Sequence, residues 1–308
     1  MKLIIGWDPQ DKQQVALTWG WWLAQKLPAQ VEVVSVVPPL PGGPMLLTGR
    51  ADLNALDRER KEERAEMARE RAVQVTGEGA PPPLEIRVGQ PARELKSRGD
   101  EVEGSVLVVG SGNRKWFEAL TGTTADRLLR LSARPVFVAR GSVPEGVGRI
   151  LAPVDLSLQS EPVVKEAARW AHGLGAELLL FHLPRREWSA AFMAGEVSHR
   201  DPAALEDPER ARSRAFTALE ELAEGVREEY PDLPVRVEVG EDGGHAADGI
   251  LARVESGQVG LLVTGTHGVG FLDRMILGSV AESVIQRAPC PVLVVPARAV
   301  ADDGVGDV

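Results

Sequence analysis

The stretch Gly265-Thr-His-Gly268-Val-Gly-Phe-Leu-Asp-Arg-Met-Ile-Leu-Gly278-Ser279 carries four glycines between two apolar segments of different periodicity. Before it, residues 259–264 form a short apolar run rich in β-branched side chains, which predicts a strand. After it, the apolar residues at positions 280, 281, 284 and 288 recur at helical spacing. The sequence therefore predicts a strand, a glycine-containing loop and a helix, with the loop ending at the helix N-terminus.

A glycine loop in front of a helix has the chemistry of an anion site. Glycines allow backbone N–H groups to approach a ligand closely, and the first helical turn offers unpaired N–H donors at the positive end of the helix dipole. Ser279 adds a hydroxyl donor. Glycine-containing turns between strand and helix also occur in many α/β proteins without a ligand, so the stretch alone leaves both interpretations open.

The glycine spacing differs from that of two familiar phosphate loops. A P-loop requires a lysine and a serine or threonine after its last glycine, whereas Gly278-Ser279 is followed by Val280. The dinucleotide pattern Gly-x-Gly-x-x-Gly is also absent, because the first three glycines stand at 265, 268 and 270. Without a lysine on the phosphates, fast phosphoryl transfer is not expected.

Composition limits the class of protein. The 308 residues, 44% apolar and 26% charged, are enough for about two domains with ordinary cores. A net charge of −10 argues against non-specific binding to nucleic acid or to an anionic membrane. The lone cysteine, Cys290, excludes an intramolecular disulfide and a multi-cysteine metal site. With no signal-peptide pattern and no apolar run of roughly 20 residues, we expect a cytoplasmic protein.

The chain repeats itself after a glycine-rich linker at 141–148. Asp8 and Asp155 each follow an apolar strand and each precede a leucine, Leu27 or Leu174, by 19 residues. Later glycines and prolines recur with slowly growing offsets, which indicates a duplication with small insertions. The predicted domains are residues 1–141 and 149–300.

Each copy alternates strands with helices. The predicted strands lie at 3–7, 31–37, 84–88, 105–109 and 135–139 in the first copy, and at 150–154, 177–183, 259–264 and 292–295 in the second. A very charged helix at about 51–75, whose charges we interpret as a solvated face, corresponds to one at 208–228. This alternation predicts α/β domains, each a parallel, doubly wound, Rossmann-like sheet of five strands. Ligands of such sheets bind at the carboxyl ends of strands, where Asp8, Asp155 and the glycine loop stand.

The pattern resembles the universal stress protein family in its tandem form, over nearly the whole chain. The most specific element is the family's ATP-binding spacing, which is Gly, two residues, Gly, nine residues, Gly, then Ser or Thr. Gly265, Gly268, Gly278 and Ser279 satisfy it without a gap. The segments at 150–157, 178–183 and 288–296 also look like the family.

The resemblance implies an ATP site in the second copy, with or without Mg²⁺. Its implied residues fall into a base end and a phosphate end: Asp155 and the backbone of Leu183 on adenine, Pro153 and Val154 lining its pocket, Gly265 near the ribose, and Gly268, Gly278, Ser279 and the N–H of Val280 on the phosphates. His267 lies inside the loop, either as a filler at a variable position or as a phosphate contact. His182 is interpreted as a core histidine with a satisfied hydrogen bond, and no metal site is expected.

The first copy departs from the spacing. Gly110 is in place, but Asn113 replaces the second glycine, and eight residues separate it from Gly122 and Thr123. Asn adopts positive φ more readily than most residues, so the turn can survive. Asp8 and Val36 match the adenine positions. Whether this copy binds nucleotide is left open.

The leading hypothesis is a non-catalytic adenine-nucleotide sensor that reports stress or energy state to an unknown protein partner. A slow ATPase and a ligand-free structural adaptor are the alternatives, and at most a weak ATPase activity is expected. The resemblance also implies pairing of residues 135–139 with residues 292–295, which gives an intramolecular pseudo-dimer. A homodimer, and the choice among ATP, AMP and cyclic nucleotides, stay open.

Overall fold

The computed structural model describes residues 1–39, 53–77, 82–111, 124–157, 160–184, 207–241, 244–266 and 277–297. The chain divides into two compact units. The first comprises Met1–Glu145, Asp273–Leu277 and Pro289–Val308, and the second comprises Gly146–Leu272 and Gly278–Ala288. Each unit is an α/β structure with a mostly parallel sheet.

The sheet of the first unit uses strands from both ends of the chain. The strands are β1 (Lys2–Gly6), β2 (Gln30–Val37), β3 (Leu84–Val88), β4 (Ser105–Gly110), β5 (Val136–Ala139) and β10 (Val292–Val295). Their order is β3-β2-β1-β4-β5-β10. All neighbours are parallel except β5 and β10, which pair antiparallel, with Leu293 opposite Phe137.

Four helices accompany these strands: α1 (Val15–Lys26), α2 (Leu53–Thr76), α3 (Pro91–Asp100) and α4 (Thr124–Leu131). The apolar spacing of α1 places Trp19 in the core, where it is 1% exposed. Its indole N–H donates to the carbonyl oxygen of Arg140 at 3.1 Å, so the buried polar atom is satisfied. Helix α3 begins with proline, which costs no hydrogen bond in a first turn.

The second unit contains β6 (Arg149–Pro153), β7 (Glu177–His182), β8 (Val235–Val239) and β9 (Leu261–Gly265). These strands are parallel and lie in the order β9-β6-β7-β8. The helices are α5 (Ser160–Leu174), α6 (Pro208–Glu229), α7 (Ala246–Ser256) and α8 (Ser279–Arg287). Strand β6 lies between β7, its successor in the chain, and β9, so the strand order reverses beside it.

The predicted α/β fold with tandem parallel sheets is confirmed. Strand and helix limits agree with the sequence interpretation to within about two residues. The last strand of the second sequence copy, β10, belongs to the first compact unit through its pairing with β5. That pairing is the one expected between residues 135–139 and 292–295, while the complete pseudo-dimer stays a prediction.

Within the described ranges, no helix is both long and apolar enough to span a membrane. The single cysteine, Cys290, is buried.

Candidate functional site

The candidate site lies at the carboxyl edge of the second unit's sheet. Strands β6, β7 and β9 are parallel, so the residues that follow them emerge at the same edge. These residues include Val154 and Asp155 after β6 and Leu183 after β7, while Pro153 and Gly265 are the last residues of their strands. The reversal of strand order between β9 and β6 creates the crevice where ligands of open α/β sheets bind.

The backbone after β6 is held by β7. The N–H of Val154 donates to the carbonyl oxygen of Phe181 at 2.8 Å, and the Val154 carbonyl oxygen lies 2.7 Å from Nδ1 of His182. A carbonyl oxygen is only an acceptor, so Nδ1 carries the proton and donates. The hydrogen bond predicted for His182 is present, but His182 is half-buried at the strand end, so the prediction of a core histidine is wrong in that respect. The bond fixes the chain one residue before Asp155.

The carboxylate of Asp155 is oriented by the start of α5. Its Oδ1 accepts hydrogen bonds from the Ser157 N–H at 3.1 Å, the Ser157 hydroxyl at 2.7 Å and the Ser160 hydroxyl at 2.7 Å. Leu156, between them, adopts a left-handed backbone with φ of 60°, which is uncommon for a residue other than glycine. This tight turn holds the half-buried Asp155 at the end of β6.

Leu183 is positioned by two glycines. A Cβ atom at Gly240 would lie 2.6 Å from Cδ2 of Leu183, and one at Gly249 would lie 2.7 Å from its Cδ1. The Gly240 N–H also donates to the carbonyl oxygen of His182 at 2.8 Å. The Leu183 side chain therefore occupies the space beside these two glycines, and a Cβ at either position would displace it. Among the residues that the structure describes, none donates a hydrogen bond to the Leu183 carbonyl oxygen.

The N-terminus of α8 is attached to the end of β9. Gly278 precedes the helix in an extended conformation, with φ of −61° and ψ of 144°, and its N–H donates to the Thr266 carbonyl oxygen at 2.9 Å. Its own carbonyl oxygen accepts from the Glu282 N–H at 2.8 Å, the first bond of the helix. Ser279 is exposed and Val280 is half-buried. Within the described ranges, no acceptor occupies their N–H groups, which lie at the positive end of the helix dipole.

The corresponding edge of the first unit is arranged differently. Oδ1 of Asp8 accepts from the Gln10 N–H at 2.9 Å and from Nη1 of Arg64, on α2, at 3.0 Å. Nη2 of the same guanidinium donates to the Val36 carbonyl oxygen at 3.0 Å. Gly110 ends β4 as predicted, and a Cβ atom there would meet nothing closer than 3.7 Å. Arg64 thus bridges the two positions that the sequence matched to adenine.

The sequence interpretation missed Arg64, and its assignment of the α2 charges to a solvated face is wrong at this position. The Arg64 side chain is 11% exposed, because α2 turns it toward the sheet. A signal was available: Arg64 precedes the buried Ala68 and Ala72 at four-residue spacing, the period of one helix face. Because α2 carries many other charged residues, this spacing was not recognised in the sequence.

The structure brings Pro153, Val154, Asp155, Leu183 and Gly265 to one sheet edge, and the Gly278 to Thr266 bond ties the N-terminus of α8 to the end of one of its strands. The remaining predicted positions lie outside the described residues, namely His267, Gly268, Asn113, Gly122 and Thr123. Ligand binding by any of these residues stays a prediction. In the parts of the chain that the structure describes, no three His, Cys, Asp or Glu side chains converge as a metal site.

Comparison with known proteins assigns the family. Residues 1–140 and 146–296 each match the model of the universal stress protein family. The two matches together span almost the whole chain, which therefore belongs to the universal stress protein family in a tandem arrangement.

Relatives support the assignment over the full length. A universal stress protein of Mycolicibacterium smegmatis is 28% identical over 312 aligned positions, which cover 96% of this chain and 97% of the relative. A universal stress protein of Mycobacterium tuberculosis is 31% identical over 197 positions, covering 62% of each chain. The crystal structure of a universal stress protein from Archaeoglobus fulgidus superposes with a TM-score of 0.68 at 20% identity, covering 96% of this chain and 98% of the other. At 20% identity, the similarity to the Archaeoglobus fulgidus structure is evidence for the fold alone.

Proposed function

We propose that the second copy binds an adenine nucleotide, with ATP the leading ligand, and that the protein is a non-catalytic sensor in the stress response of the cytoplasm. The observation that carries this proposal is the attachment of the α8 N-terminus to the end of β9 through Gly278 and Thr266. It places unused backbone donors beside the crevice where the strand order reverses.

The phosphate end would be served by α8. The N–H groups of Ser279 and Val280 and the exposed Ser279 hydroxyl are donors, and the helix dipole favours a negative charge there. Backbone donors bind phosphate without a lysine, so a chain with net charge −10 can still hold an anion locally. The fit to a phosphate group is therefore good in the described part of the site.

The base end would be served by acceptors and an apolar surface. The Asp155 carboxylate and the Leu183 carbonyl oxygen can accept from an exocyclic amine, since both lie just beyond adjacent parallel strands. The Leu183 side chain, packed against Gly240 and Gly249, offers an apolar surface. Acceptors, apolar surface and phosphate donors on one crevice are the requirements of a nucleotide site.

Binding without rapid turnover fits the groups available. No lysine follows Gly278, and the described residues hold no cluster that would bind a metal ion at the phosphates. A lysine on the phosphates and metal ions bound beside them are recurrent parts of phosphoryl-transfer sites. The occupancy of the site, rather than a product, would then be the signal passed to a protein partner.

The test is calorimetric titration of ATP, with and without Mg²⁺, into the full chain and into Ser279→Ala. Loss of a hydrogen bond to a charged phosphate should weaken binding by about tenfold or more, since such bonds contribute about 1.5 to 3 kcal/mol. The matched control is Ser283→Ala, one turn further into the same helix, which should bind as the wild type does. Unchanged affinity in Ser279→Ala would contradict the assignment.

The two alternatives give different results in the same samples. Phosphate release that scales with protein and disappears in Gly278→Val would favour a slow ATPase. Absence of any stabilisation by ATP would favour a ligand-free adaptor, because a ligand at a hundred times its dissociation constant adds about 2.7 kcal/mol to the free energy of unfolding.

The antiparallel pairing of β5 with β10 supports a second part of the proposal, that the sequence copies form a pseudo-dimer within one chain. Sedimentation equilibrium at micromolar concentration then shows whether one chain, of mass 33.1 kDa, acts alone. Twice that mass would indicate a homodimer of whole chains.

A further inference from the structure

We propose that Arg64 closes the first copy to nucleotide by occupying the acceptors that a base would need, so that the chain binds one nucleotide, in its second copy. This inference rests on the proposed function, because it takes an adenine nucleotide as the excluded ligand. It assigns to one side chain of α2 a difference between the copies at the base end, separate from the departure of the first copy's glycine spacing.

The contacts of Arg64 are those of an internal substitute for a ligand. One guanidinium nitrogen donates to the Asp8 carboxylate and another to the Val36 carbonyl oxygen, each at 3.0 Å. Asp8 follows β1 and Val36 lies at the end of the neighbouring parallel strand β2. These positions correspond by register to Asp155 and Leu183 of the second copy, since Gly6 pairs with Val34 as Pro153 pairs with Phe181.

Burial of the Arg64 side chain makes the guanidinium an effective substitute for a ligand. The Arg64 side chain is 11% exposed and that of Asp8 is 56% exposed, so the guanidinium is the more deeply buried partner of this ion pair. A planar guanidinium has several donors in a fixed geometry and keeps its charge, which suits it to bridge two acceptors at once. A base that approached Asp8 Oδ1 and the Val36 carbonyl oxygen from the same side would compete with a largely buried cation held by its counterion.

The neighbouring turn of α2 supports the same placement. Nη2 of Arg60, one turn earlier, donates to the Pro38 carbonyl oxygen at 2.7 Å, just beyond β2. This contact holds α2 against the end of β2 without involving Asp8. Arg60 therefore provides a control residue of the same type, on the same helix, that leaves the acceptor pair untouched.

In the described part of the second copy, helix α6 has no arginine at the position that matches Arg64 by burial pattern. On α6 the buried positions at four-residue spacing are Ala215, Leu219 and Ala223, which match Arg64, Ala68 and Ala72 on α2. By this burial pattern, Ala215 is the counterpart of Arg64. A methyl group cannot reach the strand ends, and the Asp155 carboxylate is instead oriented by Ser157 and Ser160 from its own turn.

The experiment counts ATP sites by calorimetry on the full chain. Wild type should bind one ATP per chain, and Arg64→Ala should bind two. In the Gly278→Val background, which is designed to remove the second-copy site, Arg64→Ala should bind one ATP whereas Arg60→Ala should bind none. Adding Asp8→Asn to Arg64→Ala should remove or strongly weaken the gained site.

The outcomes separate this inference from the proposed function. Two sites in the wild type, or no gained site in a folded Arg64→Ala protein, would overturn the inference even if the second copy binds ATP. No site in the wild type but one in Arg64→Ala would uphold the inference and contradict the second-copy site. Circular dichroism and the unfolding temperature check folding, and Arg64→Leu, which keeps the apolar packing of the stem, replaces alanine if that variant unfolds.

Discussion

Replacing Glu32 by glutamine should remove a large acid-sensitive contribution to the stability of the first unit. Glu32 projects from β2 with its side chain 9% exposed. Its two oxygens accept from Nε and Nη2 of Arg98, each at 2.8 Å, and Lys2 forms a further ion pair with it. The bidentate Arg98 hydrogen bond is the largest cause that lowers the pKa of Glu32, from 4.5 to about 2.

The size of the effect follows from linkage. The folded-state pKa lies below the ordinary value, so the stabilisation is complete above pH 4.5 and is lost as pH falls toward 2. Since one pKa unit corresponds to about 1.36 kcal/mol, the full contribution is about 3 kcal/mol. Roughly 2 kcal/mol of it should be gone by pH 3.

The assay is urea unfolding of wild type and Glu32→Gln at several pH values between 6 and 3, followed by tryptophan fluorescence. Trp7, Trp19, Trp21 and Trp22 lie in the first unit and Trp170 lies in the second, so the transition of the first unit is analysed separately, because two units need not unfold together. The stability difference between the two proteins should shrink by about 2 kcal/mol across this range. Glu161→Gln, whose ion pair with Lys165 is exposed, should show no comparable trend. A difference for Glu32→Gln that is constant with pH would refute the reasoning.

Two glycine substitutions test packing in the second unit by the same unfolding measurement. Gly225→Ala, in α6 with nothing within 4 Å of the added Cβ, should stabilise by roughly 0.5 to 1 kcal/mol, and a loss of stability would contradict this. Gly260→Ala should destabilise by about 2 kcal/mol or more, because the new Cβ would overlap the Val147 carbonyl oxygen, a backbone atom with little freedom to move. If Gly260→Ala were as stable as the wild type, the backbone at Val147 would have to move to make room, and the prediction would be wrong.

Local patterns predicted the elements well because each core strand is a short apolar run between turn residues. Leu84–Val88 and Val292–Val295 were predicted to the residue. The crevice also followed from the sequence, since the alternation of strands and helices fixes which strand ends meet. Asp155 and Leu183 therefore appeared at the predicted edge.

Side-chain contacts between residues far apart in the chain could not be predicted from the sequence. The hydrogen bond between Arg64 and Asp8 joins residues 56 positions apart. Helix α2 carries so many charged residues that the sequence does not distinguish Arg64 from the others. The steric fit of Leu183 against Gly240 and Gly249 depends on packing across the unit, which a pattern of single residues does not encode. The contact of Arg64 with Asp8 and that of Leu183 with the two glycines both depend on how helices and strands pack, and not on composition.

One titration tests the nucleotide assignment: ATP into the intact wild-type chain and into Gly278→Val, with stoichiometry measured by calorimetry. The backbone of Gly278, with φ of −61° and ψ of 144°, lies in a region that valine adopts, so this change adds a branched side chain directly before the α8 N-terminus without backbone strain. We predict one ATP per wild-type chain and none for Gly278→Val. No binding by the wild type, or one undiminished site in the folded variant, would contradict the assignment of nucleotide binding to the second copy.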